Sequence, residues 1–225
     1  MTQAGLSTPT ATSSALFSST VGEPSPAALL CRPRLLVLEP CAGRGELLRT
    51  FAAARARACP AGETVALACE QDAARLRELR AQRMANLEVY LVGHDWLSAL
   101  RSGRHTESGL AAWRGAPLAM RRNLVRRGWS LPCRALDQAF DLVLLHPPWV
   151  AGRQREEVWP QHLRVALQLV SPTGAVAAVL PTTWWMHPDA RAWVDLAARG
   201  FRLPLNTAPL GEHELVWLIG QQEIP

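Results

Sequence analysis

The stretch Leu35-Leu36-Val37-Leu38-Glu39-Pro40-Cys41-Ala42-Gly43-Arg44-Gly45 decides the fold. Its apolar run reads as a buried strand, and Glu39-Pro40 with the two glycines beyond reads as a tight turn. Glu46 to Ala58 is rich in Ala, Leu and Arg without Gly or Pro, as a helix would be, and Pro60-Ala61-Gly62 closes it. In an open parallel sheet, ligands bind outside the carboxyl ends of the strands, and a glycine turn after the first strand lets backbone approach them closely. A single Gly-x-Gly is also common in ordinary turns, so the surroundings must decide.

Working outward, Thr64 to Cys69 forms a second short strand ending at Glu70, and Asp72 to Met84 a second helix. Leu87 to Val92 is a third strand, followed by Gly93-His94-Asp95-Trp96. Strand and helix alternate, which implies a parallel sheet with helices on both faces. Phe140 to Leu145, Trp159 to Leu169, Ala175 to Leu180 and Ala190 to Arg199 continue the rhythm as strand, helix, strand and helix. Phe201 to Leu205 and Glu214 to Gly220 then suggest a closing antiparallel hairpin. The expected architecture is a Rossmann-like α/β fold: one domain over residues 1–225 with a mostly parallel seven-stranded sheet. Residues 101–139 separate the third and fourth strands by far more than a usual connection and read as an insertion. Between Arg101 and Arg134 it holds eight arginines, with Trp113 and Trp129 among them.

The chain has 225 residues, enough for one sizeable core. No apolar run is long enough for a membrane span, and the Ser/Thr/Pro-rich residues 1–30 lack the basic start and apolar block of a secretory signal. A cytoplasmic setting is expected. Five cysteines without a Cys-x-x-Cys pair argue against a disulfide framework and a zinc site, and are expected to be reduced and mostly buried. The net charge is +5, carried by 24 arginines and no lysine against 19 acids, which favours an acidic partner such as nucleic acid.

Three carboxylates, Glu39, Glu70 and Asp95, close the first three strands at one sheet edge, where they suit a nucleoside cofactor. Any one of them alone would read as a helix cap or a solvated strand end. The fourth strand runs straight into His146-Pro147-Pro148-Trp149. Two prolines stiffen this loop, so a flat group can stack on Trp149 while its amino group donates to His146 and a proline carbonyl. The alternative is a Pro-Pro loop whose Trp merely packs. Trp184 and Trp185, after the fifth strand, are expected to pack against the next helix.

The order Glu39-Pro40-x-Ala42-Gly43-x-Gly45, Glu70, Asp95-Trp96-Leu97 and His146-Pro147-Pro148-Trp149 resembles the motifs of class I S-adenosylmethionine-dependent amino-methyltransferases with an Asp/Asn-Pro-Pro-aromatic tetrad. Ser7-Thr8-Pro9, the stretch His162-Leu163 to Ala166-Leu167, Ser171-Pro172-Thr173-Gly174 and Leu180-Pro181 are similar to small phage and plasmid N6-adenine DNA methyltransferases. The resemblance implies S-adenosylmethionine as cofactor, with no metal. It sets Thr8 over the methionine part and Gly43 and Gly45 as its backbone approach, within the motif of Glu39, Pro40 and Ala42. Glu70 would hold the ribose, with Gln71 beside it, Asp95 the adenine amino group, and Trp96 would flank that ring. His146, the Pro147 carbonyl, Pro148 and Trp149 would hold the target nitrogen, first of all N6 of adenine in DNA.

The family has Asn, Asp or Ser where this chain has His146, and imidazole loses its acceptor on protonation. The same tetrad suits an amino group of RNA or of a protein glutamine, and the His exchange also fits a fold that binds nucleic acid without catalysis. Residues 150–225 are largely needed to finish the sheet, which leaves no target-recognition domain and implies loose specificity or a partner protein that supplies it. Arg121, Arg122, Arg126, Arg127 and Arg153 are the candidate phosphate contacts, and Trp113 or Trp129 could stack on an unpaired base.

Overall fold

The computed structural model describes residues 26–84, 86–93, 96, 118–129, 140–148, 150–151, 156–188, 202–206 and 212–219. In chain order these form α1 (Pro26–Leu30), β1 (Arg34–Glu39), α2 (Glu46–Ala58), β2 (Glu63–Cys69), α3 (Ala73–Ala81) and β3 (Glu88–Val92). A helix over residues 118–126, here α4, precedes β4 (Phe140–Leu145), β5 (Val150–Ala151) and β6 (Glu156–Glu157). Then come α5 (Trp159–Leu169), β7 (Val170–Pro181), a 3-10 turn at Trp184–Met186, β8 (Arg202–Asn206) and β9 (Glu212–Ile219). The helix expected at residues 190–199 lies outside the described residues. No helix among the described residues is long and apolar enough to cross a membrane.

Strand order in the main sheet is β3-β2-β1-β4-β7-β9-β8. The first five run parallel, as the alternating pattern implied, while β9 pairs antiparallel with both β7 and β8. The chain builds outward from β1 to β3 and then returns to the other side of β1 for β4. That reversal opens a crevice between the carboxyl ends of β1 and β4, the usual ligand position in such sheets. Side chains of β1 alternate between two cores. Leu36 and Leu38 join the cluster with α4 and α5, whereas Leu35 and Val37 join that with α1, α2 and α3. Burial on both faces is why these strands are continuous apolar runs rather than polar-apolar alternations.

Arg55 of α2 ties this frame together from inside. Its side chain is buried, with 1% of the residue exposed, and Nε donates to Thr64 Oγ1 at 3.1 Å. Its guanidinium donates to the Leu30 and Arg32 carbonyls, joining α1 and the entry to β1. A Cβ at Gly62 would collide with that guanidinium.

The segment read as an insertion is in part structural. Met120 and Leu124 of α4, four residues apart, are buried in the core together with Trp129. Two parallel strands on the same sheet need a crossover element on its face, and α4 belongs to that connection between β3 and β4. Gly128, at φ 73°, ends it: its N–H donates to the Val125 carbonyl at 3.0 Å and that of Trp129 to the Leu124 carbonyl at 3.0 Å. This is the Schellman arrangement for which a left-handed glycine is suited.

Two expectations are thereby corrected. Arg127 does not project as a phosphate contact. It pairs with Glu63 at 2.6 Å and with Glu88, the first residues of β2 and β3. Trp129 does not present a stacking face either, since it is buried and its Nε1 donates to Glu63 Oε2 at 2.9 Å. Asn123 completes the cluster by donating to Glu88 Oε1 at 2.9 Å, with the Tyr90 hydroxyl 2.7 Å away. The cause is electrostatic: the amino ends of two neighbouring strands place two acids side by side, and a helix end bearing Arg neutralises both.

Hydrogen bonding from Arg127, reinforced by Trp129 and the charge of Arg34, holds Glu63 below the ordinary glutamate range despite some desolvation. A carboxylate depressed in the folded state stabilises it above its unfolded pKa and loses that contribution as pH falls through the folded value. The Glu63 side chain is 38% exposed, so solvent screening keeps the effect modest. Thermal melts should therefore fall more steeply with acidification below the ordinary glutamate range in the native protein than in Glu63→Gln. Parallel pH profiles would remove this role.

None of the four cysteines among the described residues forms a disulfide, and of these only Cys69 is buried. Cys41 and Cys59 are half-buried and Cys31 is exposed, so the expectation that most are buried is corrected for these four.

Candidate active site

At the carboxyl edge, the turn after β1 is fastened to the end of β2. Ala42 N–H donates to the Cys69 carbonyl at 2.9 Å, and Gly45 N–H turns back onto the Ala42 carbonyl at 2.7 Å. Gly43 and Gly45 hold φ of 55° and 75°, a left-handed region that side chains disfavour. Their surroundings differ. A Cβ on Gly45 would collide with the Leu79 side chain, whereas one on Gly43 would meet nothing within 4 Å. Gly45 is thus fixed by packing against α3, and Gly43 borders open space. Pro40 and Ala42 are buried beneath the turn.

Glu39 ends β1 as a buried acid, 1% exposed, and its Oε2 has no hydrogen-bond partner among the described residues. Burial, and secondarily the charge of Glu70, push its carboxyl well above the ordinary carboxylate range. Glu70, also buried, accepts from the Asp72 N–H through Oε1 at 2.8 Å, while its own N–H donates to the Val92 carbonyl at 3.0 Å. Asp72 in turn caps α3 by accepting from the Ala74 and Arg75 N–H groups at 2.8 and 2.9 Å. Gln71, between the two acids, is exposed.

Beyond β3, Trp96 is 1% exposed, and its Nε1 likewise lacks a partner among the described residues. Its ring is tilted by 57° against His162 of α5, with centroids 5.5 Å apart. His162 is buried, with Nδ1 3.0 Å from the Val158 carbonyl, so that nitrogen carries the proton. At the end of β4, Pro147 is buried while His146 and Pro148 are exposed.

The structure therefore gathers Glu39, Ala42, Gly43, Gly45 and Glu70 at the ends of β1 and β2, and sets His146, Pro147 and Pro148 beyond the neighbouring β4. Thr8, Asp95, Trp149 and Arg153 lie outside the described residues. On α4, Arg122 and Arg126 are exposed and make no ion pair among the described residues, and Arg121 is half-buried. The residues fit a cationic nucleoside cofactor: a buried carboxyl oxygen and an indole N–H that have no partner among the described residues, and a glycine with open space where a side chain would be.

Two features escaped the sequence reading. His162 supports Trp96, a contact between elements far apart in sequence. The Trp184-Trp185 pair divides: Trp184 is buried, but Trp185 is 50% and Met186 65% exposed. Consecutive residues of a helical turn point in different directions, so the 3-10 turn could have warned that both indoles would not pack.

No family model and no curated protein matches the sequence. Among solved structures, a Listeria monocytogenes protein assigned to the class I S-adenosylmethionine-dependent methyltransferases aligns at a TM-score of 0.50 and 13% identity, over 88% of this chain and 59% of that one. Human methyltransferase-like protein 13, solved with SAH, aligns at 0.47 and 12% identity over 88% and 80% of the two chains. TrmN from Thermus thermophilus aligns at 0.44 and 18% identity over 87% and 48%. The chain spans about 59% of the length of the Listeria protein. In fold, this chain is similar to the class I S-adenosylmethionine-dependent methyltransferases.

Proposed function

We propose that this protein is an S-adenosylmethionine-dependent methyltransferase acting on an exocyclic amino nitrogen, with N6 of adenine in DNA as the first substrate to test. One observation carries the reading: the sheet reverses between β1 and β4, so the fastened glycine turn and the His146-Pro147-Pro148 loop leave adjacent strands at one edge. In this reading the domain spans residues 1–225 and works in the cytoplasm, and β8 and β9 are the hairpin completing a seven-stranded sheet.

The turn Pro40 to Gly45 would hold the methionine part of the cofactor, with Thr8 over it. Glu70 would hold the ribose through its remaining acceptor capacity, with Gln71 at the rim, and Asp95 and Trp96 the adenine. When bound, the cofactor supplies a methyl group on a cationic sulfur that departs as a neutral thioether. The protein's share is alignment and desolvation. Neutral His146 and the Pro147 carbonyl would accept from the two N–H groups of the target amine, and Trp149 would stack on its ring. One amine proton must leave after transfer, and the His146 imidazole is a base within the proposed clamp. Arg121, Arg122, Arg126 and Arg153 would attract phosphate, and a separate partner protein would supply sequence recognition. An adenine in duplex DNA would have to be rotated out of the stack.

Labelled S-adenosylmethionine offered separately with DNA, RNA and cell-extract protein tests the substrate, and label found only in RNA or protein moves the activity there. The transfer rate should fall with acidification as protonation removes the imidazole's acceptor, and His146→Asn should flatten that limb. Equal rates at mildly acid and neutral pH in the native protein would dismiss His146 as acceptor. Cofactor binding without transfer to any of the three would favour a non-catalytic binding protein.

A further inference from the structure

Glu39 is the strangest group at this edge: a carboxyl with an oxygen that nothing among the described residues satisfies, 1% exposed, next to a second buried acid. An ionised carboxylate left without solvent or partner is costly, and the neighbouring charge of Glu70 adds to that cost. Among the described residues, no charged group relieves it. From β2 comes only Glu70. On the adjoining turn Arg44 pairs with Glu78 at 3.2 Å. On the other flank, β4 has no titratable side chain between Asp141 at its start and His146 beyond its end. The carboxyl is accordingly held well above the ordinary range, by burial first and by Glu70 second.

Resting on the methyltransferase reading above, we propose that Glu39 makes this pocket prefer the methyl-loaded cofactor over its spent thioether, holding a proton in the free protein and releasing it to solvent when the cation enters. S-adenosylmethionine carries one net positive charge at neutral pH, from sulfonium, ammonium and carboxylate. The thioether product, lacking the sulfonium, carries none. Cation entry exchanges a neutral acid for a carboxylate paired with ligand charge, and the proton goes to buffer. The amino-acid end is common to both ligands and cancels in their comparison. Product would therefore be released without a charge to hold it, and the free site would not keep a bare buried anion.

Titration calorimetry of the full chain with S-adenosylmethionine and with S-adenosylhomocysteine, in phosphate and in Tris at one pH, reads the exchange directly. The expected result is release of about one proton per methyl donor bound and clearly less per thioether, with donor affinity rising up to about tenfold per pH unit until Glu39 ionises in the free protein. Glu39→Gln, the same size without a titrating proton, should abolish the difference between buffers and reduce the preference for donor over thioether by about tenfold. Donor binding with identical heats in both buffers and an affinity flat with pH would overturn the proposal while leaving the cofactor reading intact, whether or not the variant folds. Absence of binding by both ligands would overturn the cofactor reading and this proposal with it.

Discussion

Gly43→Ala is expected to weaken S-adenosylmethionine binding by about a hundredfold while leaving a folded protein. The backbone at Gly43 is left-handed, so an alanine costs about 1–2 kcal/mol of strain. Its Cβ meets nothing within 4 Å, so packing does not suffer. What suffers is the backbone's approach to a ligand. Gly45→Ala is the control: its Cβ collides with Leu79, so the loss should appear chiefly in thermal stability and only secondarily in affinity. If calorimetry gives Gly43→Ala the native affinity, the turn does not face the cofactor.

Arg55→Met should be the most destabilising single change, at roughly 3 kcal/mol, because it strands acceptors that burial keeps from water. The Leu30 and Arg32 carbonyls and the Thr64 hydroxyl all receive their hydrogen from this one side chain. In a chain of this size that loss corresponds to a fall in melting temperature of roughly 6–12 °C. Thr64→Val removes only the Nε partner and should cost about 1 kcal/mol. Urea titrations that found the two variants equally stable would show that the carbonyl contacts contribute nothing.

Elements defined by local pattern were legible before the structure. Helix α2, strand β4 and helix α5 match their expected bounds, Glu46–Ala58, Phe140–Leu145 and Trp159–Leu169. Each is a run whose periodicity and end signals agree. Strand β7 begins at Val170 rather than Ala175, because Ser171-Pro172-Thr173-Gly174 looks like a turn and is instead taken up beside a register shift opposite Asp141. Helix α4 was hidden for a different reason. Its arginines advertise an exposed arm, and only Met120, Leu124 and Trp129 reveal a buried side, too sparse a stripe to recognise alone.

The candidate site was legible as an order of motifs but not as a set of contacts. The glycine turn, Glu70 and the proline pair could be placed by reading strand ends, since a parallel sheet collects them at one edge. The isolation of the Glu39 oxygen, the seat of Trp96 on His162, and the exposure of Trp185 arise from elements distant in sequence and have no local signature.

Glu63 and Glu70 stand at opposite ends of β2, separated by seven residues of extended chain, roughly 20 Å. The ionic clamp under the sheet and the pocket above it therefore share no side chains, and substitutions in one should add to those in the other within a few tenths of a kcal/mol. A variant reinforced below could tolerate harsher changes above, so the chemistry could be redesigned on a background whose stability has been raised separately.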